Sequence, residues 1–112
     1  MTNIDWVKEF PGGIVISDAQ GIIVDMNDVD EQAFADLGGR KLIGTHLIDC
    51  HNDYSNHIIQ EMIDMKRNNI YTVEKQGEKE LVVQTPWYKN GEYAGLIEIT
   101  LPLSGDIPHI KR

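Results

Sequence analysis

The densest chemistry in the chain lies in the stretch Thr45-His46-Leu47-Ile48-Asp49-Cys50-His51-Asn52-Asp53-Tyr54-Ser55-Asn56-His57, which holds three of the four histidines, the single cysteine and two aspartates. Imidazole, thiolate and carboxylate are the groups that hold zinc, iron or copper. The spacing matches no standard metal signature, because no second cysteine makes a Cys-x-x-Cys pair and the adjacent Cys50 and His51 point apart on any regular backbone. Cys50, His51, Asn52 and Asp53 read equally as a turn that caps the helix after them. We therefore assign no metal ligands. Serine chemistry fares no better: Ser17-Asp18 and Ser55-Asn56-His57 contain suitable atoms, but no Gly-x-Ser-x-Gly elbow frames either serine. There is no phosphate-cradling glycine loop and no His-Glu-x-x-His, and Gly12-Gly13 precedes a strand rather than a helix. The sequence reads as non-enzymatic, with no catalytic residues.

The elements that must position this stretch follow from patterning. Asp5 to Phe10 is a lead-in or a short helix, stopped by Pro11 and the glycine pair. Ile14-Val15-Ile16 and Ile22-Ile23-Val24 are β-branched runs joined by Ser17-Asp18-Ala19-Gln20-Gly21, which predicts a hairpin. After Asn27, Val29, Ala33, Phe34 and Leu37 recur at helical spacing, with Asn27 or Asp28 as cap and Gly38-Gly39 as terminator. An irregular stretch from Arg40 to Asp53 leads into the clearest helix, Ser55 to about Asn69, with Ile58, Ile59, Met62, Ile63 and Lys66 on one stripe. Three strands close the chain: Ile70 to Lys75, Leu81 to Tyr88 and Tyr93 to Leu101. Gln76-Gly77 and Asn90-Gly91 supply the turns, and Pro86 signals an edge position or a bulge. The order is that of an α+β domain, a five-stranded antiparallel sheet with helices packed on one face. We divide the chain into a lead-in (1–10), the domain (11–103) and a tail (104–112).

With 112 residues the chain has room for one core. Its net charge of −8 argues against nucleic acid and anionic membranes as partners, because both are bound through Lys and Arg. Asp25, Asp28, Asp30, Glu31 and Asp36 concentrate acid in one stretch, which reads as a solvated helix face. No apolar run is long enough to cross a bilayer and no secretory pattern opens the chain. A lone thiol suits the cytoplasm.

Four stretches, in order, resemble a PAS domain. They are the opening hairpin from Gly13 to Asn27 with its Asp18-x-x-Gly21 turn, the segment Phe34 to Gly44 ending in Leu42-Ile43-Gly44, the long helix after Ser55, and the closing hairpin Gln84 to Thr100 around Asn90-Gly91 and Gly95. The resemblance implies a cup between sheet and helices that holds haem, flavin, a small organic acid or nothing, and an outer sheet face that makes a homodimer. It places the stretch from His46 to His57 at the cup, so His46, Cys50, His51, Tyr54 and His57, with Ile58 and Met62 beneath them, are the expected ligand-binding residues. Haem-binding members use a histidine near the start of the long helix; alignment through Ile58 puts Tyr54 at that position, with His51 and His57 each one turn away. Flavin-adduct members carry Asn-Cys-Arg-Phe where this chain reads His46-Leu47-Ile48-Asp49, so adduct chemistry is not expected and the cofactor stays unassigned.

Trp87, Tyr88 and Tyr93 surround the last hairpin and read either as cross-strand packing or as a dimer surface. Met26, Met62 and Met65 read as core filler. Many family members continue into a coiled coil, whereas this chain ends in Leu101-Pro102-Leu103 and a proline-bearing tail. The expectation is a complete sensor acting on a separate output protein, such as a kinase or regulator, or through its own dimer. A ligand-free interaction module and a haem or metal redox sensor remain the alternatives.

Overall fold

The structure, a computed structural model, describes residues 4–47 and 53–112, with the backbone alone for 53–55. β1 (Gly13–Ser17) and β2 (Ile23–Met26) form the opening hairpin, α1 (Asp28–Ala33) and two 3-10 turns (Ala35–Leu37 and Gly39–Leu42) follow, and α2 (Asp53–Met65) leads to β3 (Asn69–Lys75), β4 (Glu78–Lys89) and β5 (Glu92–Leu103). The strands form one five-stranded sheet in the order β2-β1-β5-β4-β3, with every neighbouring pair antiparallel. The helical middle crosses over so that the last strand lies beside the first. This is the α+β architecture expected from the residue patterns.

Local chemistry explains each turn. Asp18 Oδ1 accepts the amides of Gln20 and Ile22 at 2.9 and 3.0 Å, which folds the first hairpin on its own side chain. The later hairpins turn on Gln76-Gly77 and Asn90-Gly91, where both residues of each pair have positive φ, the type I′ geometry that matches the twist of flanking strands. β3 pairs with β4 only as far as Gln84, so Pro86 lies beyond the β3 ladder although β4 is an interior strand, and a bulge follows it between Trp87 and Tyr88. The lead-in holds a turn closed by Phe10 N–H on Val7 O rather than a regular helix.

Asn27 fixes the junction of lead-in, β1 and α1. Its side chain is fully buried; Oδ1 accepts from the Ile14 amide at 2.9 Å and caps α1 at the Asp30 amide at 3.2 Å, while Nδ2 donates to Phe10 O and Gly12 O at 3.2 and 2.7 Å. All the bonding capacity of one amide is used on backbone, which is why a polar residue is stable there.

The helix after Asn27 departs from the sequence expectation. α1 has only six residues and passes into 3-10 turns, so the 3.6-residue stripe drawn through Val29, Ala33, Phe34 and Leu37 does not persist. Val29 and Leu37 are exposed, and the residue that α1 buries is Asp30, at 5% exposure. The acidic stretch is therefore solvated except at Asp30. In α2 the stripe is as expected at Ile59 and Met62, which are buried, with Ile58 and Ile63 partly buried beside them.

Candidate ligand cavity

Side chains alternate across a strand, and residues paired across an antiparallel ladder share a face. Val15 and Ser17 on β1 thus point to the same side as Leu96 and Glu98 on β5, Gln84 on β4 and Met26 on β2. This is the face covered by the helices. Two apolar clusters form on it: Val15, Ile23 and Met26 with Phe34, Leu42 and Ile43 around them, and Ile59, Met62 and Leu96 with Ile58 and Ile63. Leu47 packs against both. Between them lies a cavity of about 90 Å³, walled, among the described residues, chiefly by apolar side chains and reached by three polar ones, Ser17, Gln84 and Glu98.

The polar groups are ordered. Asn69 Nδ2 donates to Gln84 Oε1 at 2.9 Å, and Gln84 Nε2 donates to Glu98 Oε2 at 2.6 Å, so a chain of donors runs across three strands and ends on a carboxylate. Ser17 Oγ donates to Leu96 O and accepts the Leu96 amide, both at 3.3 Å. Asp30 lies one step along the same face. A Cβ on Gly13 would stand 2.2 Å from its Oδ1, so glycine there makes room for the carboxyl group. Its Oδ2 is buried with no hydrogen-bond partner. Burial pushes the Asp30 carboxyl up to about 6, helped by the negative charges of Glu98 and Glu80 facing it from β5 and β4.

The opposite face reverses the usual polarity. Along β5 the outward positions are Ile97, Ile99, Leu101 and Leu103, and along β4 they include Leu81 and Val83, while Glu98, Thr100, Gln84 and Glu80 point toward the helices. These outward side chains are half-buried, with Ile70 beside them 57% exposed. An antiparallel sheet with one solvated face normally alternates the other way.

The sequence-expected site residues are distributed unevenly. Met62 lines the cavity and Ile58 packs beside it, with Ile59 taking the inward position next to Met62. His57 stands apart from the cavity: at 100° per residue it lies about 200° from Ile59 on the helix, its side chain is 74% exposed, and it lies 3.9 Å from Glu61. The His46 ring lies against Gly21 in the first hairpin, 2.8 Å from where a Cβ would stand, and is not among the described lining residues. Cys50, His51 and the Tyr54 side chain lie outside the described residues. Gln84, Glu98, Ser17 and Asp30 were missed. The available signal was polar residues at inward positions of otherwise apolar strands, in Leu96-Ile97-Glu98-Ile99-Thr100 above all.

Of the expected interface residues, Trp87 is half-buried and donates its indole N–H to Ser17 O at 2.9 Å. Tyr93 stacks edge-on against Tyr88 at 6.5 Å and carries the Lys66 ammonium 5.6 Å from its ring centre. Its hydroxyl is buried without a partner, and burial, with Tyr88 nearby, raises its pKa. Tyr88, at 50% exposure, is the most accessible of the three.

Solved structures share this architecture. A sensory box sensor histidine kinase from Vibrio cholerae superposes with a TM-score of 0.65 at 13% identity, over 86% of this chain and 85% of that one. The PAS domain of BvgS from Bordetella pertussis gives 0.65 at 14% identity, over 88% and 82%. This is a PAS fold. The Aer2 receptor from Vibrio cholerae, described as a dual PAS-haem oxygen sensor, gives 0.58 at 13% identity, over 83% and 95%. No family model and no curated protein matches the sequence.

As the described residues outline it, the PAS cavity does not fit haem. A volume of about 90 Å³ is smaller than the ~150 Å³ that holds benzene. Neither described histidine named as a site residue, His46 or His57, lines it. Among the described residues no three His, Cys, Asp or Glu groups are placed to hold a metal ion, and no helix is long and apolar enough to cross a membrane.

Proposed function

We propose that this chain, over residues 11–103, is a non-enzymatic sensory domain of the cytoplasm that takes a small molecule into the cavity between sheet and helices. The observation that carries the reading is the cavity itself, an opening between two apolar clusters in a core that close packing would otherwise fill. A ligand shifts a conformational equilibrium only by its difference in affinity for the two states. Here such a difference has a route outward. Val15 lines the cavity, and its strand neighbours Ile14 and Ile16 face the other side of the sheet. A change in strand spacing at the cavity alters the outer face, where a second copy or an output protein such as a kinase would sit.

The test is a small-molecule screen read by thermal shift and by methyl NMR of Val15, Met62 and Leu96. Val15→Phe, which fills the cavity from its floor, abolishes the response while circular dichroism shows the fold retained. No response from any small molecule in wild type sinks the ligand reading. The apolar outer face supports a second reading, a dimerisation or interaction module without a ligand. In that case Ile99→Lys disrupts association, measured by light scattering, and cavity variants leave signalling unchanged.

A further inference from the structure

We propose that the cavity selects a small organic cation, an alkylammonium of roughly five non-hydrogen atoms, with Glu98 as its counter-ion. The inference rests on the sensory reading above and names its ligand class.

Of the three polar side chains that reach the cavity among the described residues, Ser17 and Gln84 already bond to protein groups and keep only part of their capacity free, one lone pair on Ser17 and one N–H and one lone pair on Gln84. Ser17 Oγ is occupied by both backbone groups of Leu96. Gln84 accepts from Asn69 and donates to Glu98. Glu98 has one oxygen on the Gln84 amide, while its other oxygen accepts no hydrogen bond and no Lys or Arg pairs with it among the described residues. A carboxylate accepts and never donates, so the unmet requirement is for a donor, and a charged donor makes the shorter and stronger bond.

The surroundings set the sign further. Asp30 and Glu80 share this face with Glu98, and the Asp30 carboxyl feels both as negative neighbours. A ligand carboxylate would add like charge beside Glu98, whereas an ammonium offsets it. The remaining wall, including Val15, Ile23, Met26, Leu47, Met62 and Leu96, suits a short alkyl body. A bare metal ion is not indicated, because no three donor groups of the required kind converge among the described residues.

The experiment uses three probes sharing one carbon skeleton at neutral pH: isobutylamine as its ammonium, isobutanol, and isobutyrate. Each is titrated into the full chain and followed through the methyl resonances of Val15, Met62 and Leu96. The expected result is an ammonium Kd lower by about tenfold or more than that of either other probe, with E98Q levelling the series. Equal or tighter binding of the alcohol or the carboxylate overturns the ligand class while leaving the cavity reading intact. Ammonium selectivity that survives in folded E98Q overturns the assignment to Glu98. Failure of all three to perturb the methyl resonances overturns this proposal at the level of the cavity. The wild-type series decides the charge preference even if E98Q does not fold.

Discussion

Replacing Asp30 by Asn at the base of α1 should stabilise the domain near neutral pH. Acids in the first turn of a helix are ordinarily favoured by the helix dipole. Asp30 is instead 5% exposed, faces Glu98 and Glu80, and has one oxygen unpaired, so burial outweighs the dipole and raises its pKa from 3.8 to about 6. A folded-state pKa above the unfolded one means the native state holds the proton more tightly. The stability this contributes is complete below the unfolded value and is lost as pH rises through about 6. The rise of about two pH units corresponds to roughly 3 kcal/mol of penalty once the group is ionised. Linkage places about 2 kcal/mol of that between about pH 4.5 and 7.5. An amide at this site removes the charge but brings donors that need partners, which costs about 1 kcal/mol. Asp30→Asn should therefore gain on the order of 1–2 kcal/mol near pH 7.5 and lose most of that advantage near pH 4.5. Urea unfolding of both proteins across this range, followed by tryptophan fluorescence, measures the gap directly. A gap that does not change with pH, or a variant less stable than wild type near pH 7.5, refutes the account.

Three further substitutions probe the frame around the cavity. Asn27→Ala leaves four backbone partners of a buried amide unsatisfied and should cost about 2–4 kcal/mol in urea unfolding. Gly95→Ala places a Cβ 1.9 Å from Ser17 O at φ 144°, a backbone clash no rotamer relieves, and should cost about 3 kcal/mol or more in thermal unfolding. Trp87→Phe keeps most of the ring but loses the bond to Ser17 O; about 1–2 kcal/mol is expected, together with the disappearance of the protected indole N–H signal in hydrogen exchange.

Turn chemistry made most of the fold legible. Asp18, Asn90-Gly91 and Gln76-Gly77 each dictate a hairpin through local bonding or positive φ, which needs no tertiary knowledge. Strand order was less accessible, since placing β5 beside β1 depends on contacts far apart in the chain. The site was legible only in part. Met62 followed from helical period, but His46 and His57 were chosen for their chemistry, and side-chain type carries no information about which way a residue faces. Asp30 escaped because the stripe was drawn through the apolar Val29, whereas α1 turns Asp30 inward and leaves Val29 exposed. Glu98 and Gln84 escaped because the strand pattern alone does not say which half of the alternation meets the helices.

That reversed alternation makes the folding equilibrium a property of the solution as well as of the sequence. Ile97, Ile99, Leu101 and Val83 add their full burial energy only when something covers them. If a second copy does so, mass action raises the midpoint of unfolding with protein concentration. Dilution would then weaken the domain without altering a single internal contact. Variants of Asp30, Asn27 or Gly95 are then best compared at one fixed concentration, and a concentration series on the wild type tests whether any of its stability is held in common between molecules.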